Sequence, residues 1–141
     1  MLLLAQSAVL RAIEAEMARA GVVPLNTYDV LLELNSAPER RLRMSELAAR
    51  VVLSRTRVSR LVDDLVALGY VDRVDDPSDG RAALAVITAT GRRELRRAAP
   101  HYLAGIEANF TALLTERERN VLVEALGRVA EHHASRRPAS R

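Results

Sequence analysis

The chain has 141 residues and a formal charge of +3, and its 49% hydrophobic and 28% charged residues indicate one globular domain with room for a hydrophobic core. It contains no cysteine and no lysine, which excludes disulfides, thiol nucleophiles, iron–sulfur clusters, cysteine-based redox sensing and Schiff-base chemistry. No segment has the roughly 18 apolar residues that a membrane span requires, and none has the pattern of a signal peptide, so we expect a cytoplasmic protein.

The N-terminal part of the chain predicts two helices. Residues 2–20 carry apolar side chains along one side at helical spacing and end at a glycine. Asn26 is the expected N-cap of a second helix over residues 27–35, because its side-chain oxygen can accept a hydrogen bond from a free backbone N–H. Pro38 follows that helix, and the arginines at 40–41 are predicted to lie in a loop.

The centre of the chain predicts two short helices followed by a β-hairpin. A helix over residues 44–51 precedes a longer one over residues 55–68, for which Ser54 is the N-cap. A Gly-Tyr pair then ends the longer helix. Valine-rich segments at 71–74 and 84–87 predict two strands joined by a long polar tip.

The C-terminal part predicts two more helices. Thr88 begins a long helix in which Pro100 predicts a kink, because proline lacks the N–H that the preceding turn needs. Thr115 and Glu118 have the spacing of a capping box at the start of a final helix with an apolar stripe. Residues 134–141 form an Arg/Ser/Pro-rich tail that we expect to be disordered.

This order of elements predicts a winged helix-turn-helix: a mainly α protein with a small β-hairpin wing (α+β) and long N- and C-terminal dimerisation helices. The outer helices are too long to pack wholly against so small a centre, and the commonest partner for their apolar sides is a second copy of the chain. We predict a single structural domain made of N-terminal dimerisation helices (1–38), a winged lobe (39–88), C-terminal dimerisation helices (89–133) and the tail.

Positive charge is concentrated in the centre of the chain. Residues 40–97 hold 13 arginines and 8 acidic residues, and the remainder holds 8 arginines and 10 acidic residues. The helix over 55–68 carries Arg55, Arg57 and Arg60 near its start, whereas its acids come later. Recognition helices enter the major groove of DNA in this way, because arginine can donate two hydrogen bonds to guanine. The alternative is a solvated face whose arginines balance nearby acids.

The hairpin tip carries a second cationic position. Arg81 is placed to enter the minor groove, where negative potential is concentrated. Asp79 can hold that arginine by an ion pair, and Arg73 lies on the first strand of the hairpin. The predicted DNA-binding residues are Ser54, Arg55, Thr56, Arg57, Ser59, Arg60, Arg73, Asp79 and Arg81.

Several segments together resemble the MarR family of bacterial winged-helix regulators. The matching sequences are Ser-Glu-Leu-Ala (45–48), Val-Ser-Arg-Leu-Val-Asp-Asp-Leu (58–65), Leu-Gly-Tyr-Val-Asp-Arg (68–73), Asp-Asp-Pro-Ser-Asp-Gly-Arg-Ala (75–82) and Ile-Thr-Ala-Thr-Gly (87–91). The resemblance implies a homodimer joined by its N- and C-terminal helices and bound to a pseudo-palindromic DNA operator. It also implies that Ser59 and Arg60 lie at the major groove. By the same resemblance, Arg81 is the wing arginine and Asp79 positions it.

Two positions depart from the family pattern. Gly80 stands at the wing tip where arginine or another polar residue is common, which predicts a more flexible tip and one phosphate contact fewer. Arg43 stands where a serine or threonine usually caps a helix, which predicts a looser start for the helix over 44–51. Neither departure changes the predicted fold.

The resemblance also implies a small effector, because members of the family are often released from DNA by phenolic or other aromatic acids. The predicted ligand-binding residues, on elements that would line a cleft between the dimer helices and the winged lobe, are Met17, Tyr28, Leu32, His101 and Tyr102. Core or interface packing is the alternative role for each of them. We expect no cofactor and no metal, since cysteine is absent and the adjacent histidines at 132–133 point about 100° apart on a helix.

No catalytic constellation is found in the sequence. The serines lack a histidine partner, and no glycine-rich phosphate loop occurs. We therefore predict a DNA-binding transcriptional regulator and not an enzyme, with repression the more common mode in the family it resembles. The alternative is a winged-helix module for protein interaction without specific DNA binding, which would not need the basic start of the helix over 55–68.

Overall fold

The structure, a computed structural model, describes residues 1–51 and 53–134. Within this part of the chain, six α-helices, three β-strands and two short 3₁₀ turns follow one another. In order they are α1 (Leu2–Arg19), α2 (Leu25–Ser36), a 3₁₀ turn (Pro38–Arg40), β1 (Arg41–Arg43), α3 (Met44–Arg50), α4 (Arg55–Ala67), β2 (Val71–Asp76), β3 (Asp79–Ile87), α5 (Ala89–Asn109), a 3₁₀ turn (Thr111–Leu113) and α6 (Glu116–Ala134). The mainly helical winged fold is confirmed, and the predicted tail after Ala134 lies outside the described residues.

One hydrophobic core joins the winged lobe to the outer helices. On α4, Val58, Val62 and Leu65 are buried, as their helical spacing predicts, and half-buried Leu61 packs against the same core. Fully buried side chains from other elements include Met17, Val30, Leu31, Leu34, Leu47 and Val71. Because these residues come from α1, α2, α3 and β2, the core holds α4 with a defined side towards solvent.

The sheet has a third strand, β1, that the sequence analysis does not predict. The prediction of a loop is wrong for Arg41, which begins β1; the strand order is β1-β3-β2, all antiparallel. Leu42 lies opposite Ala85 and is buried. A strand of three residues is too short to show an alternation of apolar and polar side chains. It can therefore be recognised only from its pairing with β3. Glu39 and Arg40, with φ angles of 52° and 56°, turn the chain into this strand.

The wing is longer than predicted and its tip is shorter. β2 ends at Asp76 and β3 begins at Asp79, so the tip is Pro77 and Ser78 instead of residues 75–80. A hairpin extends through backbone hydrogen bonds, which need no apolar side chains where both faces of the ribbon meet solvent. The polar sequence therefore concealed the pairing.

The predicted caps at Ser54 and at Thr115 are confirmed, and Thr88, which is predicted only to begin a helix, is the N-cap of α5. The Ser54 hydroxyl accepts a hydrogen bond from a backbone N–H in the first turn of α4 (3.3 Å). Thr88 accepts in the same way from the Gly91 N–H (3.0 Å) at the start of α5. Thr115 and Glu118 form the predicted capping box before α6, each side chain accepting from the other residue's backbone N–H (3.3 and 2.8 Å).

The start of α2 differs from its prediction. α2 begins at Leu25, directly after Pro24, so the predicted N-cap at Asn26 is wrong. Proline fixes φ near the helical value and lacks an N–H, which suits the entry to a helix. The Asn26 side chain instead accepts from the Thr27 N–H (2.8 Å) inside the first turn. α5 continues through Pro100, and the kink there stays a prediction.

Two further observations concern membrane-spanning helices and metal sites. Within the described segments, no helix combines the length and the apolar composition needed to cross a bilayer. In the same segments, no three histidine or acidic side chains are grouped closely enough to hold a metal ion.

Candidate nucleic-acid interface

The start of α4 presents a basic surface to solvent. Arg55, Arg57 and Arg60 are exposed, and within the described residues none of their guanidinium groups is in an ion pair or a hydrogen bond. Thr56 is exposed and Ser59 is half-buried in the same stretch. We call Ser54, Arg55, Thr56, Arg57, Ser59 and Arg60 the recognition surface. Because the opposite side of α4 is buried, packing of the core determines which side chains this surface presents.

Charge along α4 is sorted by position. Its first turn has no acidic residue, and the acids Asp63 and Asp64 lie in its second half. The free backbone N–H groups and the helix dipole make the first turn positive, which favours phosphate there. The recognition surface can therefore donate hydrogen bonds to phosphates and to base edges of a nucleic acid.

Arg73 has a partner on the recognition helix. Its Nη2 atom lies 3.0 Å from Oδ1 of Asp63, which connects β2 to the side of α4. Both side chains are partly exposed, so the ion pair contributes little to stability. The structure thus places Arg73 beside α4, where it would have to leave Asp63 to contact DNA, and its DNA-binding role stays a prediction.

Arg81 lies exposed on β3 near the wing tip. The ion pair predicted between its guanidinium and Asp79 is wrong: Oδ1 of Asp79 accepts from the backbone N–H of Arg81 (3.2 Å), and no ion pair joins the two described side chains. The carboxylate of an aspartate easily reaches the backbone N–H two residues later. An ion pair would instead require the long arginine side chain to fold back towards the aspartate. Within the described residues the Arg81 guanidinium therefore has no hydrogen-bond or ion-pair partner.

Sequence reasoning misses a polar cluster at the wing. The Arg43 guanidinium donates to Oδ2 of Asp76 from Nε (2.6 Å), and Oδ1 of Asp76 accepts from both the N–H and the O–H of Ser78 (2.9 and 2.7 Å). The looser helix start predicted at Arg43 is compensated, because Glu46 accepts from the Arg43 N–H (2.9 Å). Since Arg43 and Asp76 are 33 positions apart, no local pattern could join them. In the sequence, only the unusual arginine at the cap position of α3 hints at this cluster.

The outer helices expose an apolar surface. Its side chains come from α1, from the end of α5 and from α6, and we call them the outer apolar surface: Leu2, Leu3, Leu4, Leu10, Leu103, Phe110, Val121, Val123, Leu126 and Val129. So many exposed large apolar side chains on three helices are a candidate surface of contact with another molecule.

A cavity of about 620 Å³ lies between α1, α2, α5 and α6. It is lined by Leu2, Ala5, Gln6, Val9, Leu10, Ile13, Leu25, Asp29, Tyr102, Ile106, Phe110 and Leu126. The Tyr102 ring packs on that of Tyr28, with centroids 4.4 Å apart and planes inclined by 30°. Met17 is fully buried in the core, Leu32 is exposed, and His101 is half-buried outside the lining. Of the five predicted ligand-binding residues, Tyr102 alone is a lining residue of this cavity.

Asp29 places a carboxylate in the cavity wall. Burial raises the pKa of this carboxyl group above its ordinary value, and the nearby charge of Glu33 raises it further. Burial likewise raises the pKa of Tyr102, with the charge of Asp29 as a second cause. Because the pKa of Asp29 is higher in the folded than in the unfolded chain, its ionised form opposes folding.

We expect Asp29→Asn to raise the melting temperature at neutral pH, because the substitution removes a charge that folding takes out of water. As the pH falls through the raised pKa, the folded wild-type protein binds its proton first, so the advantage of the variant shrinks and then vanishes. Melting temperatures between about pH 4 and pH 8 measure this trend. Asp64→Asn, on the exposed side of α4, is the control for a lost charge. If the melting temperature of Asp29→Asn exceeded that of the wild type by more at acid pH than at neutral pH, the raised pKa of Asp29 would be contradicted.

The sequence and the fold are similar to those of known transcriptional regulators. A profile of the MarR family matches residues 23–82. An uncharacterized HTH-type transcriptional regulator of Bacillus cereus is 30% identical over 105 residues, which cover 74% of this chain and 68% of the relative. The HTH-type transcriptional repressor YetL of Bacillus subtilis is 28% identical over 104 residues, covering 74% of this chain and 62% of that protein. Sco3205, a MarR family transcriptional regulator from Streptomyces coelicolor in complex with DNA, superposes with a TM-score of 0.86 at 33% identity, covering 93% of this chain and 82% of that one.

Proposed function

The chain belongs to the MarR family, and from that premise we propose that it is a sequence-specific DNA-binding transcriptional regulator of the cytoplasm. It acts as a repressor, binds a pseudo-palindromic operator as a homodimer and is released by a small organic ligand. The outer helices (1–38 and 89–133) join the two copies, and the lobe at 39–88 contacts DNA. The observation that carries the proposal is the group of arginines at the capped start of α4 that have no ion-pair partner in the described part of the chain.

The recognition surface supports binding in the major groove. Among the described residues its arginines have no ion pair to break before they bind, so only the loss of hydration opposes their contact with DNA. In the proposed complex Arg60 donates to a guanine edge, Thr56 binds phosphate, and Arg81 enters the adjacent minor groove. Sco3205, which is 33% identical to this chain and was solved in complex with DNA, supports DNA binding.

The outer apolar surface supports a homodimer. A second copy related by a twofold axis would cover the same apolar side chains on both chains, because a twofold interface pairs each patch with itself. Two copies of the winged lobe would then face DNA half-sites about one helical turn apart.

The cavity beside α1 and α5 supports a small-molecule effector bound at the edge of the proposed dimer interface, because Leu2, Leu10, Phe110 and Leu126 belong both to the cavity lining and to the outer apolar surface. Its volume of about 620 Å³ lies within the ~300–1,000 Å³ of small-molecule sites, and most of its lining is apolar. The described lining contains the carboxylate of Asp29 and the phenol of Tyr102 but no arginine. An aromatic acid would meet a like charge without a compensating cation. We therefore favour a neutral phenol over the phenolic and aromatic acids that the family resemblance implies.

Repression has support from one relative, YetL, which is named as a transcriptional repressor. A dimer bound across a promoter represses by occupying DNA that the polymerase needs. The relatives are transcriptional regulators and not enzymes.

A selection from random duplex DNA, repeated at several salt concentrations with the full chain, tests the proposed function. We expect enrichment of a twofold site with half-sites about 10 base pairs apart, and an affinity that falls steeply with salt because binding releases counterions. No enrichment even at low salt would contradict specific DNA binding. It would favour the winged-helix protein-interaction module instead.

We expect Arg81→Ala to weaken operator binding about threefold to tenfold, because one cationic contact to the minor groove is lost. The chromatographic size of the protein should not change, since Arg81 lies on the wing, away from the outer apolar surface. Binding titrations and gel filtration measure the two properties. Arg96→Ala, an exposed arginine on α5, is the control with the same change of charge. A variant that no longer dimerises would show that Arg81 has a structural role.

A further inference from the structure

The wing contains a buried charge. Among the described residues, Asp76 is the one charged side chain that is buried, with 6% of its surface exposed. A buried carboxylate is costly unless its oxygens are hydrogen-bonded and its charge is compensated. Asp76 meets both conditions through Ser78 and Arg43, and the hydrogen bonds from Ser78 and Arg43 hold its pKa below the ordinary value.

The three side chains form a closed ring of hydrogen bonds. Both Nε and Nη2 of Arg43 lie 2.6 Å from Oδ2 of Asp76, and Nη2 also donates to the Ser78 hydroxyl (3.1 Å). Ser78 in turn donates its N–H and its O–H to Oδ1 of Asp76 (2.9 and 2.7 Å). Arg43 comes from the junction of β1 and α3, whereas Asp76 is the last residue of β2 and Ser78 belongs to the tip of the wing. The ring therefore connects the body of the lobe to that tip.

Both ends of this connection are held by backbone structure. Arg43 pairs with Leu84 in the sheet, and its backbone N–H donates to Glu46 (2.9 Å), so its position in the lobe is determined. Asp76 pairs with Asp79 after an irregularity in the β2–β3 ladder. Such irregularities bend a strand and change its direction. A side-chain ring located at the bend can set the direction in which the tip continues.

Arg81 lies on β3 two residues after Asp79, which is the pairing partner of Asp76 at this irregularity. Its guanidinium has no partner among the described residues, so its placement depends on the strand that carries it. We propose that Arg43 is a positioning residue for the wing: through Asp76 and Ser78 it directs the tip so that Arg81 reaches the minor groove. This inference rests on the proposed DNA-binding function.

A substitution cycle separates positioning from direct contact. Arg43→Ala, Arg81→Ala and the double variant are titrated with the enriched operator. We expect Arg43→Ala to weaken binding about threefold to tenfold. The double variant should bind no more weakly than Arg81→Ala alone, because both substitutions remove the same contact, that of Arg81 with DNA. Arg41→Ala, on the same strand, where the arginine pairs with Glu39, is the control. Losses that multiply in the double variant would mean that Arg43 binds DNA independently, which would overturn the proposal.

Asp76→Asn gives a second test, which removes a negative charge where Arg43→Ala removes a positive one. This substitution removes a negative charge from a DNA-binding protein, so electrostatics alone would strengthen binding. We expect weaker binding, because the amide offers Arg43 no charged acceptor and the tip loses its direction. Tighter or unchanged binding by the folded variant, as judged from its thermal melting, would overturn the proposal.

Hydroxyl-radical footprints show which part of the complex changes. We expect Arg43→Ala to lose protection in the flanking minor grooves, where the wing lies, and to retain protection over the half-sites that α4 contacts. Uniform loss of protection would contradict wing positioning. Absence of any footprint with the wild-type protein would instead contradict the proposed function itself, so the two failures are distinguishable.

Discussion

Arg60→Ala is expected to weaken operator binding by about 1–3 kcal/mol, the discrimination that a bidentate arginine–guanine pair supplies. Arg60 is exposed in the first two turns of α4, on the side opposite the buried Val58 and Val62. No ion pair holds its guanidinium among the described residues, so removing the side chain costs a DNA contact and little folding stability. Titrations with the enriched operator and with variants of its half-site measure the loss.

The same titrations distinguish base reading from phosphate binding. If Arg60 reads a base, its alanine variant should lose preference at one position of each half-site while the salt dependence stays close to wild type. A phosphate contact would instead lower affinity equally for every sequence and reduce the salt slope by about one unit. Arg96→Ala again controls for net charge. Unchanged affinity for Arg60→Ala would remove this residue from the reading surface.

The recognition surface is predictable from sequence because it depends on local rules. Helical spacing assigns Val58, Val62 and Leu65 to the core, and the side chains between them then have to face solvent. The cap at Ser54 follows from the chemistry of a free backbone N–H and a short hydroxyl side chain. Each of these features involves residues within one or two helical turns. The outward direction of the arginines therefore needs no knowledge of distant partners.

Features that depend on distant pairing are not predictable in this way. β1 exists because Leu42 finds Ala85 across the sheet, and its three residues carry no pattern of their own. The outer half of the wing is held by backbone hydrogen bonds between polar residues, which resemble a loop in sequence. At α2, a local rule favoured Asn26 as the N-cap, but the helix begins at Leu25, directly after Pro24 and two residues before its predicted start.

The partners of individual arginines likewise cannot be predicted from local sequence. Arg73 and Asp63 meet because β2 packs beside α4, and Arg43 and Asp76 meet across 33 positions of sequence. The ion pair expected at the wing tip relied on proximity in sequence, whereas the Asp79 carboxylate bonds to the nearer backbone N–H of Arg81. Charge counting locates the basic lobe, but only the folded structure shows which cations are already paired.

Val123→Pro is expected to dissociate the proposed dimer and thereby to have the largest effect on DNA binding. Val123 lies inside α6 with 74% of its surface exposed, and proline there removes a helical hydrogen bond and clashes with the preceding turn, at a cost of about 3 kcal/mol or more. Once the copies separate, each lobe binds its half-site alone, and operator affinity should fall about 10²–10⁴-fold. Sedimentation equilibrium and operator titration measure the two losses.

A second variant tests the same interface without breaking the helix. Val129→Glu puts a charge on the outer apolar surface at a side chain that is 57% exposed, so the fold of one chain is preserved while burial against a second copy becomes costly. Val123→Ala, which retains the helix, is the control and should remain dimeric. If both Val123→Pro and Val129→Glu remain stable dimers, the interface lies elsewhere. Dissociation of both, with the secondary structure of Val129→Glu intact, locates it on α6, where a second copy would cover the exposed valines and leucine.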